Sequence, residues 1–349
     1  MVSTAYRFFA FCLMLAPHAL LAAPPASPLV EGEGTSQLVV TWTSPDPVDV
    51  LVANDAYTPP NEARLIVAKG VDGRALVEND LVPRTFVILR NARTGENVRV
   101  APRVVPLEAG SNFRDIGGYP AAGGKHVVWG RIYRSGATPL LTAADRSRIA
   151  GLGLNNMIDL RSDEERALAP SRIDGVPYTA VGYPLMSGLN LSGGMESVYR
   201  ALPTIMLPQL RQIMTKLLRD EAPLVYNCSA GQDRTGFVTA ILLSALGTDR
   251  NTIVADYHLS TKYRHPEFEM PHLDPAAHPG DQVVAFFARF QDDPQARKPS
   301  PLKTADGKPF LDLAFAEIDE KWGSIDGYLA KGVGLSKADI SKLRASYTR

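Results

Sequence analysis

Residues 223–237 read Pro223-Leu224-Val225-Tyr226-Asn227-Cys228-Ser229-Ala230-Gly231-Gln232-Asp233-Arg234-Thr235-Gly236-Phe237, and this stretch decides the fold. Pro223 to Asn227 is a short apolar strand, and Thr235 to Leu246 is an apolar helical run that stops at Gly247. The Cys228 loop therefore joins the carboxyl end of a strand to the amino end of a helix. Open α/β sheets bind ligands at that place.

The loop's residue types point to one chemistry. Cysteine attacks as its thiolate, which a helix amino terminus and a nearby guanidinium stabilise; the helix at Thr235 and Arg234 supply both. Between Cys228 and Arg234 the chain bends through Ser229, Ala230, Gly231 and Gln232, so that successive backbone N–H groups can line one concavity. Such a nest at a helix amino terminus binds a phosphate dianion. Arg234 adds a planar fork matched to two phosphate oxygens. Thr235 is placed to donate its hydroxyl to the sulfur, and Gly236 allows the helix to pack closely beneath the site. Asp233 brings a carboxyl into the same loop. A nucleophile, an anion cradle and an acid are then present without a metal or any other cofactor. An arginine six residues after a cysteine arises by chance about once in twenty. Gly231, Asp233, Thr235 and Gly236 at fixed offsets each lower that rate by a similar factor. A buried, inert cysteine ending a core strand is the plainer alternative, but it does not account for Gln232-Asp233-Arg234 ahead of an apolar helix.

Outward from the loop, strands and helices alternate. Val127-Val128-Trp129 and Ile132-Tyr133 read as strands, Leu141 to Ala150 as a helix opening at Thr142, Asn156 to Leu160 as a buried strand, and Ile205 to Leu218 as a helix. Residues 107–349 are therefore expected to form an α/β domain, a central, mostly parallel sheet flanked by helices. Residues 37–106 differ: short apolar runs such as Leu38 to Trp42, Val48 to Val52 and Thr85 to Leu89 are divided by Pro, Gly, Asn and Asp. That texture predicts a small all-β sandwich of the immunoglobulin or fibronectin kind. Residues 24–36, rich in Pro, Gly and Ala, read as a linker.

Residues 1–23 read as a secretory signal: Arg7, the apolar run Phe8 to Ala16, Pro17, then the small residues Ala22 and Ala23 at the cleavage site. The run is about half the ~20 residues that span a bilayer, so stable membrane insertion is not expected. The protein is expected outside the cytoplasm, in the periplasm or secreted. Of the two cysteines, Cys12 lies in the signal, so the mature chain carries Cys228 alone and no internal disulfide. Lys plus Arg number 37 and so do Asp plus Glu. With no net field, nucleic acid is not an expected partner.

Four blocks carry a resemblance: Asn112-Phe113-Arg114-Asp115-Ile116-Gly117-Gly118-Tyr119; Tyr133-Arg134-Ser135-Gly136; Asp159-Leu160-Arg161-Ser162 with Glu165; and Cys228 to Phe237. In order and spacing they resemble the exported bacterial tyrosine phosphatases of the Cys-x5-Arg superfamily, from about Leu107 to the C-terminus. The resemblance implies a phosphocysteine intermediate at Cys228, phosphate binding by Arg234, no metal, and Asp233 as general acid. Asp115, Asp163 and Asp174 are the alternatives for that acid. It also implies a phosphotyrosine-containing protein or another phosphomonoester as partner.

Asn112, Arg114, Asp115, Arg134, Asp159 and Arg161 would support the site, either at the substrate or as buried pairs Arg114–Asp115 and Asp159–Arg161. Two positions depart from the family pattern. Asn227 stands where a histidine usually precedes the nucleophile, and Gln232 stands where relatives that hydrolyse phosphoinositides carry Lys. The missing cation counts against multiply charged lipid headgroups, and a phosphoinositide or broad phosphomonoester phosphatase is the second reading. A persulfide-carrying sulfurtransferase does not need Arg-Thr-Gly after the loop, and an inactive phosphate-binding module needs neither thiol nor acid. His258, His265, His272 and His278 are about seven apart among prolines, a spacing that fits no compact metal site.

Overall fold

The computed structural model describes residues 24–32, 35–80, 84–185, 193–295, 298 and 300–349. Residues 1–23, read above as a signal, lie outside them. Seven strands come first: β1 (Ala26–Glu31), β2 (Gln37–Thr43), β3 (Val48–Ala53), β4 (Arg64–Gly70), β5 (Arg74–Glu78), β6 (Phe86–Asn91) and β7 (Asn97–Val100). They form two antiparallel sheets, in the orders β1-β2-β5 and β4-β3-β6-β7. Alternation places Leu38, Val40 and Trp42 of β2 on one face, where they meet Val48, Val50, Val52, Val87 and Leu89 of the other sheet in one apolar cluster. Two sheets sharing one core make a sandwich.

The segment read as a linker contains β1, which pairs with β2 from Glu31 back to Ala26 through an irregular register. Pro28 hides the strand in the sequence, yet an edge strand tolerates it because no ladder donor is required on the open side. β5 was also not singled out, although Ala75 and Val77 are buried between exposed neighbours.

A third sheet contains β8 (Arg114–Asp115), β9 (Ile132–Ser135), β10 (Asn156–Asp159), β11 (Tyr178–Ala180) and β12 (Leu224–Asn227) in the order β11-β10-β12-β9-β8. All its pairings are parallel except β8 with β9. β12 is central and wholly buried, which is why it reads as a continuous apolar run.

Among the described residues the α-helices of six or more residues are α1 (Ala143–Ala150), α2 (Asp163–Leu168), α3 (Gly194–Ile205), α4 (Leu207–Leu218), α5 (Asp233–Leu246), α6 (Arg250–Tyr263), α7 (Gln282–Asp292), α8 (Phe310–Trp322) and α9 (Lys337–Tyr347). In α5 every residue but Asp233 and Ser244 is buried, the pattern of a helix apolar all round. Each large side chain buried there, such as Phe237, Ile241 and Leu243, contributes about 1.5–3 kcal/mol. The amino end of α5, and with it the Cys228 loop, is thereby fixed against β12. Among the described residues no helix is long and apolar enough to cross a membrane.

Two expectations change. Val127-Val128-Trp129 is not a strand of this sheet: the segment joins the C-terminus, with Val128 N–H donating to the Tyr347 carbonyl at 2.9 Å and Val127 bridged to Thr348. Trp129 packs with Ala56, Phe86 and Ala101 between the two domains. The helix expected over Ile205 to Leu218 is α4, which starts two residues later at Leu207 ahead of Pro208, and a helix that was not expected, α3, precedes it. Gly193, Gly194 and Pro203 punctuate α3 and mask its periodicity.

Candidate active site

β12 ends at Asn227 and α5 begins at Asp233, so Cys228 to Gln232 make the whole turn. Gly231 takes φ +65°, and a Cβ there would lie 2.5 Å from the Gly136 nitrogen. Only glycine fits.

The loop's carbonyls are drawn outward. Ser229 O accepts from Ala137 N–H at 2.8 Å. Ala230 O and Gly231 O accept from the Asn112 amide at 3.1 and 2.9 Å, and Gly231 O also accepts from Arg134 at 2.8 Å. Among the described residues, nothing accepts from the N–H groups of Ser229, Ala230, Gly231 or Gln232. A row of free donors beside a helix amino terminus is an anion cradle.

Behind the loop lies a buried charge cluster. Arg114 Nε donates to Asp256 Oδ1 at 3.2 Å, Arg134 Nη1 donates to Asp256 Oδ2, and Arg114 Nη1 also donates to the Asn112 side chain. Burial alone would favour a neutral Asp256; the two guanidiniums outweigh it and hold the carboxyl well below the usual range. Two cations against one anion leave one net positive charge behind the Cys228 loop.

Glu165 anchors the arginine of the loop. Arg234 Nη1 and Nη2 donate to its two oxygens at 2.6 and 2.7 Å, and Nη1 also donates to Tyr183 Oη at 2.8 Å. Ser229 Oγ adds a bond to Glu165 at 2.6 Å. Glu165 is the third residue of the Ser162 capping box that opens α2, and Ser162 N–H donates to it at 2.9 Å. Burial would raise its pKa, but the Arg234 charge and these bonds bring it down to about 2. Burial likewise disfavours the Arg234 charge, and Glu165 overrides it to raise that pKa well above the ordinary value. Of five guanidinium donors, three are engaged. Nε–H and one Nη2–H remain on one edge, a fork for two phosphate oxygens.

A cavity of about 560 Å³ opens on the loop, within the size range of small-molecule sites. Cys228, Ser229, Ala230, Gln232, Asp233 and Arg234 form its polar floor. Met195 and Val198 of α3, Phe286, Phe287 and Phe290 of α7, and Phe310 of α8 form apolar walls. Cys228 is 1% exposed at the bottom. Asp233 is half-buried, and its Oδ1 accepts from Tyr199 Oη at 2.6 Å. Thr235 is buried with its hydroxyl unpaired among the described residues, so no bond to the sulfur is present. A Cβ on Gly236 would lie 2.9 Å from the Tyr257 ring, so α5 and α6 meet closely there. Gln232 Oε1 accepts from Arg264 at 3.1 Å, and Arg264 is paired with Glu269 at 2.9 Å. A cation therefore lines the cavity beside the position that lacks Lys. Asn227 donates weakly to the Cys228 carbonyl at 3.3 Å.

The supporting residues divide. Asn112, Arg114 and Arg134 hold the loop. Asp115 does not: it does not pair with Arg114 but accepts from Arg84 at 2.6 Å and from the Gly117 and Gly130 N–H groups, at the junction of the domains. Neighbours on a strand face opposite ways, so Arg114 turns to Asp256 while Asp115 turns away. Asp159 and Arg161 do pair, at 2.7 Å, and Arg161 also holds the Ala169 carbonyl; neither lines the cavity. Asp163 is paired with Arg166 at the surface and Asp174 is exposed, so neither is placed to act as the acid.

Sequence reasoning missed the roles of Tyr183, Tyr199, Asp256 and Arg264, and quoted Glu165 without a role. The capping-box pattern Ser162-x-x-Glu165 marked a buried carboxylate. The others carry no local signal.

The profile described as the tyrosine phosphatase family matches residues 105–349. A Cupriavidus necator protein provisionally named a tyrosine-protein phosphatase is 30% identical over 256 residues, 68% of this chain and 85% of its own length. The triple specificity protein phosphatase PtpB of Mycobacterium tuberculosis is 30% identical over 277 residues, 67% of this chain and 95% of its own. A tyrosine-protein phosphatase of Nostoc commune is 27% identical over 220 residues, 58% of this chain and 69% of its own. The matched region contains the whole site built above, from Asn112 to Phe310, and the chain belongs to the tyrosine phosphatase family: it is a phosphatase.

Proposed function

We propose that the protein hydrolyses phosphotyrosine through a phosphocysteine at Cys228, with Asp233 as general acid. Cys228 Sγ attacks phosphorus, and the bond from phosphorus to the ester oxygen breaks. The electron pair stays on that oxygen, which takes the proton of Asp233. Water then attacks phosphorus, its proton passes to the Asp233 carboxylate, and the thiolate of Cys228 departs. Throughout, the free N–H groups of the loop and the remaining fork of Arg234 carry the charge on the equatorial oxygens.

The observation that carries this reading is the outward anchoring of the Ser229, Ala230 and Gly231 carbonyls around a cysteine at the floor of an aromatic-walled cavity. Phe286, Phe287, Phe290 and Phe310 suit an aryl ring better than a charged inositol headgroup. Phosphotyrosine, phosphoserine and phosphoinositide substrates tested side by side decide it. The highest kcat/KM is expected on phosphotyrosine; a higher value on a phosphoinositide would replace this reading with the lipid one.

We also propose that the protein works outside the cytoplasm, on the strength of Arg7, the short apolar run after it, and Ala22-Ala23. Periplasmic or secreted protein should begin near Pro24, and uncleaved protein confined to the cytoplasm would end the proposal.

A further inference from the structure

Behind Asp233 stands a pair of tyrosines that the chemistry above does not use. Tyr199 of α3 is 0% exposed, and its Oη lies 2.6 Å from Asp233 Oδ1 and 2.5 Å from Tyr257 Oη of α6. The Tyr199 ring is stacked on Phe310 at 5.5 Å and meets the edge of Tyr257 at 6.1 Å. Tyr257 in turn is pressed against Gly236, where a Cβ would come within 2.9 Å of it. Three packed contacts fix where the Tyr199 hydroxyl sits, and that hydroxyl is aimed at one oxygen of one carboxyl.

The direction of the chain follows from counting protons. Tyr199 owns a single hydroxyl proton and gives it to Asp233 Oδ1, so the bond between the tyrosines must be donated by Tyr257. The order is Tyr257 to Tyr199 to Asp233. Burial, then the charge of Asp233 and the neighbouring Tyr257, raise the Tyr199 pKa well above its ordinary value. It keeps its proton and acts by orientation.

We propose that Tyr199, backed by Tyr257, is a positioning residue that commits Oδ1 of Asp233 to accepting a hydrogen bond and so reserves Oδ2 for the proton that moves. With Oδ1 held as the acceptor, Oδ2 carries the proton given to the leaving oxygen and later receives the proton from water. Tyr199 touches no reacting atom. Without it the carboxyl can rotate, and the proton is shared between an oxygen that meets the substrate and one that does not. The inference rests on Asp233 being the general acid, so its test includes Asp233→Asn.

Tyr199→Phe keeps the ring on Phe310 and removes only the hydroxyl. We would measure kcat/KM for phenyl, nitrophenyl and dinitrophenyl phosphate, together with affinity for vanadate. General acid help is worth about a hundredfold to ten-thousandfold, and losing its alignment should forfeit part of that. A loss of roughly tenfold to a hundredfold is expected on phenyl phosphate, against less than about threefold on the dinitrophenyl ester, with vanadate affinity within about twofold. Tyr257→Phe should shift the leaving-group dependence in the same direction by less, and it carries the test if Tyr199→Phe does not fold. An equal loss on all esters with weakened vanadate would make Tyr199 a mere support of the loop. No loss at all would mean that the carboxyl is oriented without it. Either result overturns the proposal if Asp233→Asn shows the selective loss. If Asp233→Asn itself slows all esters equally, the acid assignment fails first.

Discussion

Cys228→Ser is expected to lower kcat/KM on aryl phosphates by at least about a thousandfold, with the protein still folded and still binding inorganic phosphate. Removing a covalent nucleophile costs this much or more because the two-step route is lost and only cradle and acid remain. The fold should survive: Cys228 is buried between β12 and α5 in the main core, and serine is smaller than cysteine. The cost is one buried hydroxyl, about 1–3 kcal/mol if unpaired. Phosphate affinity should persist because the groups proposed to hold the anion are the loop N–H groups and the Arg234 fork, neither of which the substitution touches. Burst kinetics on a nitrophenyl ester and titration with phosphate separate the two effects. Turnover within about tenfold of the parent would end the phosphocysteine mechanism.

The same contrast between local and remote groups explains what the sequence could reveal. Cys228 to Gly236 is legible because strand, loop and helix start are contiguous, and each residue type answers a local demand. Gly231 accommodates φ +65°, and α5 shows itself by being apolar all round. The groups that position the loop are remote. Glu165 lies 69 residues before Arg234, and Asp256 lies 142 after Arg114. No periodicity connects them. Proximity in sequence served one pair and misled on the other: Asp159 and Arg161, two apart, do pair, whereas Arg114 and Asp115 look like a pair on paper but strand alternation sends them to different partners. The apolar run Val127 to Trp129 also looked like a sheet strand. Its burial comes from the C-terminus and the domain junction, which a window of sequence cannot show.

Asp233→Asn should slow phenyl phosphate and phosphotyrosine by about a hundredfold to ten-thousandfold, while a dinitrophenyl ester loses far less. A poor leaving oxygen needs a proton as the bond breaks, and an activated one departs without it. The substitution isolates proton transfer because Asp233 has little structural duty beside its neighbour: Arg234 is held by Glu165 and Tyr183, not by Asp233. Among the described residues the side-chain bond of Asp233 is the one from Tyr199. Asparagine keeps an oxygen for that bond and replaces Oδ2 with an amide, which cannot serve as a proton donor of comparable acidity. Phosphate and vanadate affinity should therefore change little. A uniform loss on every ester with loosened vanadate would show that Asp233 shapes the loop instead. The acid would then have to be another carboxyl of the cavity. Asp115 is bound to Arg84 at the domain junction and Asp163 faces the surface, so neither inherits the role. Glu269 is committed to Arg264. Glu267, on the cavity wall and far more exposed than Glu269, would be the residue to substitute next.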